Sequence, residues 1–201
     1  MESNNYAELC GTLGACPVYS HTLRDEVFYT FPLEVERLSG TADRINIILR
    51  RELMESLELE ERSHIAVRGE LRSYNNKSGV GSRLVITVLA RQIYFTDEED
   101  RNIVLLRGAL CREPNLRRTP MGREICDLML AVNRRYGRSD YLPCIAWGRC
   151  AQLASRLGVG SPLCLTGRIQ SRNYIKNENG EAIEKTAFEV SAVEIDAGAP
   201  V

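Results

Sequence analysis

Histidine is scarce in this chain of 201 residues: there are two, and neither His21 nor His64 stands in a recognisable motif with a nucleophile. Also missing are a glycine-rich phosphate loop, a G-x-S-x-G nucleophile turn and an H-E-x-x-H helix, the spacings that bring reacting groups together. An enzyme is therefore the poorest fit. The paired carboxylates Glu60-Glu61 and Glu98-Glu99 lie in charged runs and read as solvated. No C-x-x-C pair occurs among the seven cysteines, and both histidines are remote from any cysteine pair with ligand spacing, which argues against zinc. Most cysteines sit inside apolar runs and read as small buried hydrophobes in a reducing compartment. No segment approaches the ~20 apolar residues that cross a bilayer. The N-terminus lacks the basic-then-apolar layout of a secretory signal. These absences lead us to expect a cytoplasmic protein with no membrane contact, no metal and no cofactor.

The net charge of -1 by itself argues weakly against a polyanionic ligand. It conceals an asymmetry. Residues 1–100 hold 11 Lys/Arg against 17 Asp/Glu, whereas residues 101–201 hold 15 against 10. Only the second half is electrostatically suited to nucleic acid.

The two halves also repeat each other. Leu9-Cys-Gly11-Thr-Leu13 followed by Pro17 returns as Leu106-Arg-Gly108-Ala-Leu110 followed by Pro114. Val67-Arg-Gly69-Glu-Leu71-Arg-Ser73 returns as Leu165-Thr-Gly167-Arg-Ile169-Gln-Ser171. Two units of about 100 residues fit the length. The charged run Thr96–Arg101 separates them, so the expected division is 1–96, a linker at 97–101, 102–196 and a short tail at 197–201. In the second unit the apolar patterns predict strands at 103–110, 125–132, 142–147, 162–174 and 185–195. Leu153 and Leu157 at i,i+4 predict a helix over 149–157 closed by Gly158, and Asn179-Gly180 predicts a hairpin. The first unit follows the same order: strands at 6–13, 27–38, 45–49, 64–74 and 83–95, with a helix at 51–57. An all-β chain with short helices results. Five strands with a helix between the third and fourth is the layout of the OB-fold, though pattern alone leaves other five-stranded barrels open.

Several stretches of the second half, taken in order, resemble one family. They are Asn102-Ile-Val-Leu-Leu-Arg-Gly108, Arg112-Glu-Pro-Asn-Leu-Arg117, Leu130-Ala-Val-Asn-Arg-Arg-Tyr136, Ala146-Trp-Gly148 and Gly167-Arg-Ile-Gln-Ser-Arg-Asn-Tyr174. This half resembles the bacterial single-stranded DNA-binding protein (SSB) family over nearly its whole length, and the first half resembles it more faintly. The resemblance implies two tandem five-stranded OB-fold barrels that bind single-stranded DNA with little sequence preference, in replication, recombination or repair. It also implies that bases stack at Tyr136, Tyr141, Trp147 and Tyr174. All four are aromatic in a chain only 6% aromatic. Stacking suits such a ligand because every base has a π face, while a positive groove holds the backbone. The arginines nearest these rings in sequence, Arg117, Arg134, Arg135, Arg149, Arg168 and Arg172, are the candidate phosphate partners.

Laid over the second unit, the first places Ser39, Arg44 and Arg50 opposite Tyr136, Tyr141 and Trp147, while Tyr74 stands two residues out of step with Tyr174. Arg44, Arg50 and Tyr74 are thus a candidate secondary site on a unit whose expected role is assembly. Members of the family carry one OB-fold per chain and form tetramers, so a two-fold chain is expected to pair as a homodimer presenting four OB-folds. The family's acidic C-terminal tip, which docks partner proteins, has no counterpart in Asp196-Ala-Gly-Ala-Pro-Val201. The competing readings are an OB-fold scaffold of the primosome type, which the acidic first half favours, and binding of RNA.

Overall fold

The computed structural model describes residues 4–76, 84–135, 137–178 and 181–198; the side chains of 173, 174, 176–178, 181 and 183–185 are not among those described. Two compact units result. One comprises Tyr6–Arg72 and Thr87–Ile103; the other comprises Met1–Asn5, Ser73–Ile86 and Val104–Val201.

The first barrel is built from β1 (Asn5–Leu13), β2 (Val18–Leu23), β3 (Glu26–Glu36), β4 (Ala42–Arg50), α1 (Arg51–Glu55), β5 (His64–Asn75) and β6 (Leu84–Phe95), the ends of β5 and β6 at 73–75 and 84–86 falling in the other unit. Strand β1 pairs antiparallel with β5 along most of its length and with β3 at Thr12 and Leu13. Strand β3 pairs with β4, β4 runs parallel to β6, and β6 neighbours β5. The ring β1-β3-β4-β6-β5 is closed, which is the OB barrel. Its interior is the alternating set that period two predicts, with Ile45, Ile47 and Leu49 fully buried on β4 against Leu9, Phe31 and Val67.

The second unit repeats this with β7 (Arg101–Leu110), β8 (Asn115–Arg118), β9 (Glu124–Asn133), β10 (Ser139–Trp147), α2 (Gly148–Ala154), β11 (Pro162–Glu178) and β12 (Glu181–Asp196). Strand β7 pairs with β11 and, at Ala109 and Leu110, with β9; β9 pairs with β10, β10 runs parallel to β12, and β12 returns to β11. The chain is therefore all-β with short helices, as two OB-fold barrels.

The repeated glycines have a steric cause. A Cβ on Gly11 would lie 2.3 Å from the carbonyl oxygen of Glu34, and one on Gly108 would lie 2.3 Å from that of Ala131. At Gly69 and Gly167 the corresponding oxygens, of Leu89 and Ser191, stand at 2.2 Å. These are the places where the ring of strands closes most tightly, and only a residue without a Cβ fits.

Three local expectations need correction. Each barrel carries a sixth strand, β2 or β8, paired to the outer edge of β3 or β9. Sequence patterning misses both because neither has a buried side chain. Helix α2 ends at Ala154 with Ser155 as its cap, short of the expected stop at Gly158, and it buries Ala151 and Ala154 while Leu153 is exposed. The small alanines face the barrel, so the spacing of Leu153 and Leu157 does not mark the packed side. Among the cysteines, Cys10, Cys126 and Cys144 are buried as expected, but Cys16 is exposed. Strands β11 and β12 pair out to Glu178 and Glu181, and the expected Asn179-Gly180 turn lies outside the described residues.

Candidate nucleic-acid interface

On β10 Asp140, Leu142, Cys144 and Ala146 are buried on the inward face, and of the alternate series Ile145 is buried as well, Pro143 is half-buried, and Tyr141 and Trp147 are exposed. Tyr141 is 51% exposed and Trp147 38%. Six residues apart on one strand face, they are separated by ~20 Å at about 3.3 Å per residue. Their positions are held from the backbone outward. The Tyr141 amide donates to Ser73 Oγ at 2.8 Å. Trp147 Nε1 donates to Ser191 Oγ at 3.2 Å, which leaves the indole attached to the barrel by its one polar atom.

Ser191 lies directly across from Arg168 in the β11–β12 ladder, so Trp147 and Arg168 converge on one residue. Arg168 and Arg172 share a face of β11, since residues of one parity do. Tyr174 pairs with Lys185 in the backbone ladder, and its side chain is outside those described. Tyr136 lies outside the described residues altogether.

The six candidate arginines separate into two groups. Arg135, Arg149 and Arg172 are exposed and Arg168 is half-buried; none makes a hydrogen bond or ion pair among the described residues. Arg149 occupies the first turn of α2, two residues beyond Trp147. Arg117 is different. It grips Asp127 through two bonds, Nε to Oδ2 at 2.6 Å and a terminal nitrogen to Oδ1 at 3.0 Å, and this pairing raises its already high pKa. Any phosphate at Arg117 competes with that carboxylate.

Arg134 is more firmly committed. Its Nε donates to Asp140 Oδ2 at 2.6 Å, a terminal nitrogen reaches Asp140 Oδ1, and the same nitrogen donates to the Ser73 carbonyl at 3.1 Å. Asp140 is fully buried and also accepts the Ser73 amide at 2.6 Å. Arg37 and Asp43 form the same clasp in the first barrel, six residues apart across the β3–β4 turn. The guanidinium thus neutralises a carboxylate sealed into the end of the barrel. Sequence reasoning did not single out Asp140, Ser73 or Ser191. Only the recurrence of Arg-x5-Asp at both hairpins carried any signal of the clasp.

In the first barrel, Arg44 lies across from Glu34 as Tyr141 lies across from Ala131, and Arg50 lies across from Phe28 as Trp147 lies across from Ile125. Both arginines are exposed, and Arg50 Nε is 3.2 Å from Glu26. Tyr74 is 51% exposed but belongs to the unit built on 104–201, so it does not group with them. No cluster of side chains able to hold a metal ion occurs among the described residues, and no helix among them is long and apolar enough to cross a membrane.

Comparison with known proteins bears on residues 101–197, which match the model of the single-strand binding protein family. Single-stranded DNA-binding protein A of Bacillus subtilis is 35% identical over 100 residues, covering 46% of this chain and 58% of that protein. Single-stranded DNA-binding protein 1 of Lactococcus lactis is 37% identical over 92 residues, 42% of this chain and 61% of the relative. The chain thus spans about three fifths of the length of these relatives. The crystal structure of the single-stranded DNA-binding protein from Thermus aquaticus matches 98% of this chain and 94% of its own, with a TM-score of 0.79 and 26% identity. That structural match runs through both barrels, whereas the match to the single-strand binding protein family lies in the second, residues 101–197.

Proposed function

We propose that the protein binds single-stranded DNA without reading its sequence, chiefly through the second barrel, and so covers and protects exposed strands during replication, recombination or repair. The observation that carries this reading is the outer face of β10. Two aromatic rings are exposed there, the indole fixed by Ser191, with Arg149 two residues further along the chain and Arg168 across from Ser191, both without an ion pair among the described residues. Nothing in such a face reads base edges. Rings take the π faces of any base, and arginines take phosphates. Arg135 and Arg172 extend the cationic set, and Tyr136 and Tyr174 extend the aromatic one. Arg117 contributes only where phosphate displaces Asp127, and Arg134 acts by holding the hairpin that presents Tyr141. The first barrel, residues 1–96, serves assembly, and two chains together present four barrels. Light scattering at micromolar concentration should give twice the 22.6 kDa chain mass; a monomer there refutes this part.

The experiment is a titration of the chain with a thymine oligonucleotide, following the fluorescence of its one tryptophan, Trp147. Quenching is expected, with affinity falling as salt rises. Each phosphate held contributes a log–log slope of about -0.7 on a single strand, so the four arginines without a partner among the described residues give about -3. Trp147→Ala should cost ~1–3 kcal/mol of affinity, one base on one ring. No binding at low salt removes the reading. Equal affinity for a matched RNA oligomer would widen the ligand to single strands of either kind.

A further inference from the structure

Strand β10 has two edges, and only one of them is fully paired. Strand β9 runs beside it in register from Ser139 to Trp147. On the other side, among the described residues, β12 pairs only with Cys144, Ile145 and Ala146. Residues 139–143 therefore have no strand on that edge, and Tyr141 lies in the middle of the gap. Backbone amides alternate between the two edges of a strand. The Tyr141 amide points into the gap, since it donates to Ser73 Oγ at 2.8 Å. The next amide of that parity would be at Pro143, which has no N–H to give. One hydroxyl thus satisfies the donor that the missing strand would have taken.

The rest of Ser73 is committed to the same hairpin. Its amide donates to Asp140 Oδ1 at 2.6 Å, and its carbonyl accepts from a terminal nitrogen of Arg134 at 3.1 Å. Ser73 is 9% exposed. All three of its polar groups are turned to the β9–β10 turn, yet it comes from β5, two residues beyond Leu71 in the core of the first barrel. The chain passes from one compact unit to the other between Arg72 and Ser73. The backbone bonds of Ser73 hold the clasp of Arg134 and Asp140. Its hydroxyl has a separate task, because it alone meets the residue whose ring is exposed.

We infer that Ser73 is a positioning residue for the binding of single-stranded DNA, fixing the backbone of Tyr141 so that its ring is presented in one orientation. The inference rests on the proposed function of the second barrel. It extends the site to a residue outside 101–197. A ring that is held in place before a base arrives loses little freedom when the base stacks on it. Without the hydroxyl, the 139–143 stretch of β10 is held from the β9 side alone, and the ring must be ordered by the ligand itself.

Alanine at 73 isolates this task, because it keeps the amide and the carbonyl and removes only Oγ. The test titrates the full chain, Ser73→Ala, Ser73→Thr, Tyr141→Ala and the double variant Ser73→Ala/Tyr141→Ala with a thymine oligonucleotide. Trp147 fluorescence reports binding, and circular dichroism reports that each variant is folded. Tyr141→Ala should lose about 5- to 150-fold in affinity, the range of one base on one ring. Ser73→Ala should lose about 5-fold, the worth of one hydrogen bond, and Ser73→Thr, which keeps the acceptor, should bind as the unmodified chain does. The double variant should lose no more than Tyr141→Ala, since a positioning residue has no effect once the ring it positions is gone. Losses that add in the double variant overturn the inference, because the hydroxyl would then act through something other than that ring. Wild-type affinity of Ser73→Ala beside a weakened Tyr141→Ala also overturns it, as does a loss by Ser73→Thr equal to that of Ser73→Ala; each leaves the function of the second barrel standing. No quenching of Trp147 in the unmodified chain overturns both.

Discussion

Replacing Arg134 by alanine separates two roles that an arginine near a nucleic-acid face can have. In the structure its guanidinium is bidentate to Asp140 and also holds the Ser73 carbonyl. Asp140 has no exposure, while the Arg134 side chain keeps 27% of its own. Removing one partner of a buried ion pair costs about 3–5 kcal/mol, because the other charge stays sealed in low dielectric. The partial exposure of Arg134 lets water reach the vacated space, which places the cost near the low end, about 3 kcal/mol. With a urea m-value of about 2 kcal/mol/M, the transition of this unit should move down by about 1.5 M. Circular dichroism against urea measures it. Arg149→Ala is the comparison, since Arg149 is exposed and unpaired among the described residues. That change should leave the urea transition within about 0.5 kcal/mol of wild type, yet lower the salt slope of oligonucleotide binding by about 0.7. If Arg134→Ala left the transition in place and reduced the salt slope instead, Arg134 would be a phosphate ligand and the clasp reasoning would be wrong.

Two further predictions concern the barrels themselves. Gly108→Ala should destabilise the second barrel by several kcal/mol in a denaturant titration, because its Cβ would meet the Ala131 carbonyl oxygen at 2.3 Å, a backbone atom that cannot rotate away. A mild effect, under about 1 kcal/mol, would show that β7 and β9 separate easily. In the first barrel Glu8 accepts from the Tyr6 hydroxyl at 2.6 Å and from Arg101 at 2.9 Å, and these bonds, that of Tyr6 foremost, lower its pKa. A depressed folded pKa gives stability that is present above the ordinary carboxylate range and lost as pH falls through the folded value. Thermal unfolding followed below about pH 5 should therefore show Glu8→Gln less pH-sensitive than wild type; identical pH profiles would count against the Glu8 network.

Much of this was legible in the bare chain because the barrel imposes its geometry on residue types. Closure demands a glycine wherever two strands cross too tightly for a Cβ, so Gly11, Gly69, Gly108 and Gly167 mark the repeat. Period-two burial marks the barrel strands, as at Ile45, Ile47 and Leu49. Strands β2 and β8 escaped because a strand with no buried face has no period. The aromatic candidates were visible as types, yet the presentation of Tyr141 and the tether of Trp147 to Ser191 depend on residues 44 to 68 positions away.

The sequence by itself determined the two-fold repeat, the barrel strands and the concentration of positive charge in the second half, since each is a pattern along the chain. Which charges are available is not such a pattern. Arg134, Arg135 and Arg149 are alike as letters, and only folding sets one of them against a buried carboxylate and leaves the others to solvent. The row that sets Arg117, Ile125 and Trp147 across from one another on β8, β9 and β10 is likewise a product of strand register. Residues far apart in the chain become neighbours there because cross-strand pairing, rather than sequence distance, decides which side chains share a face.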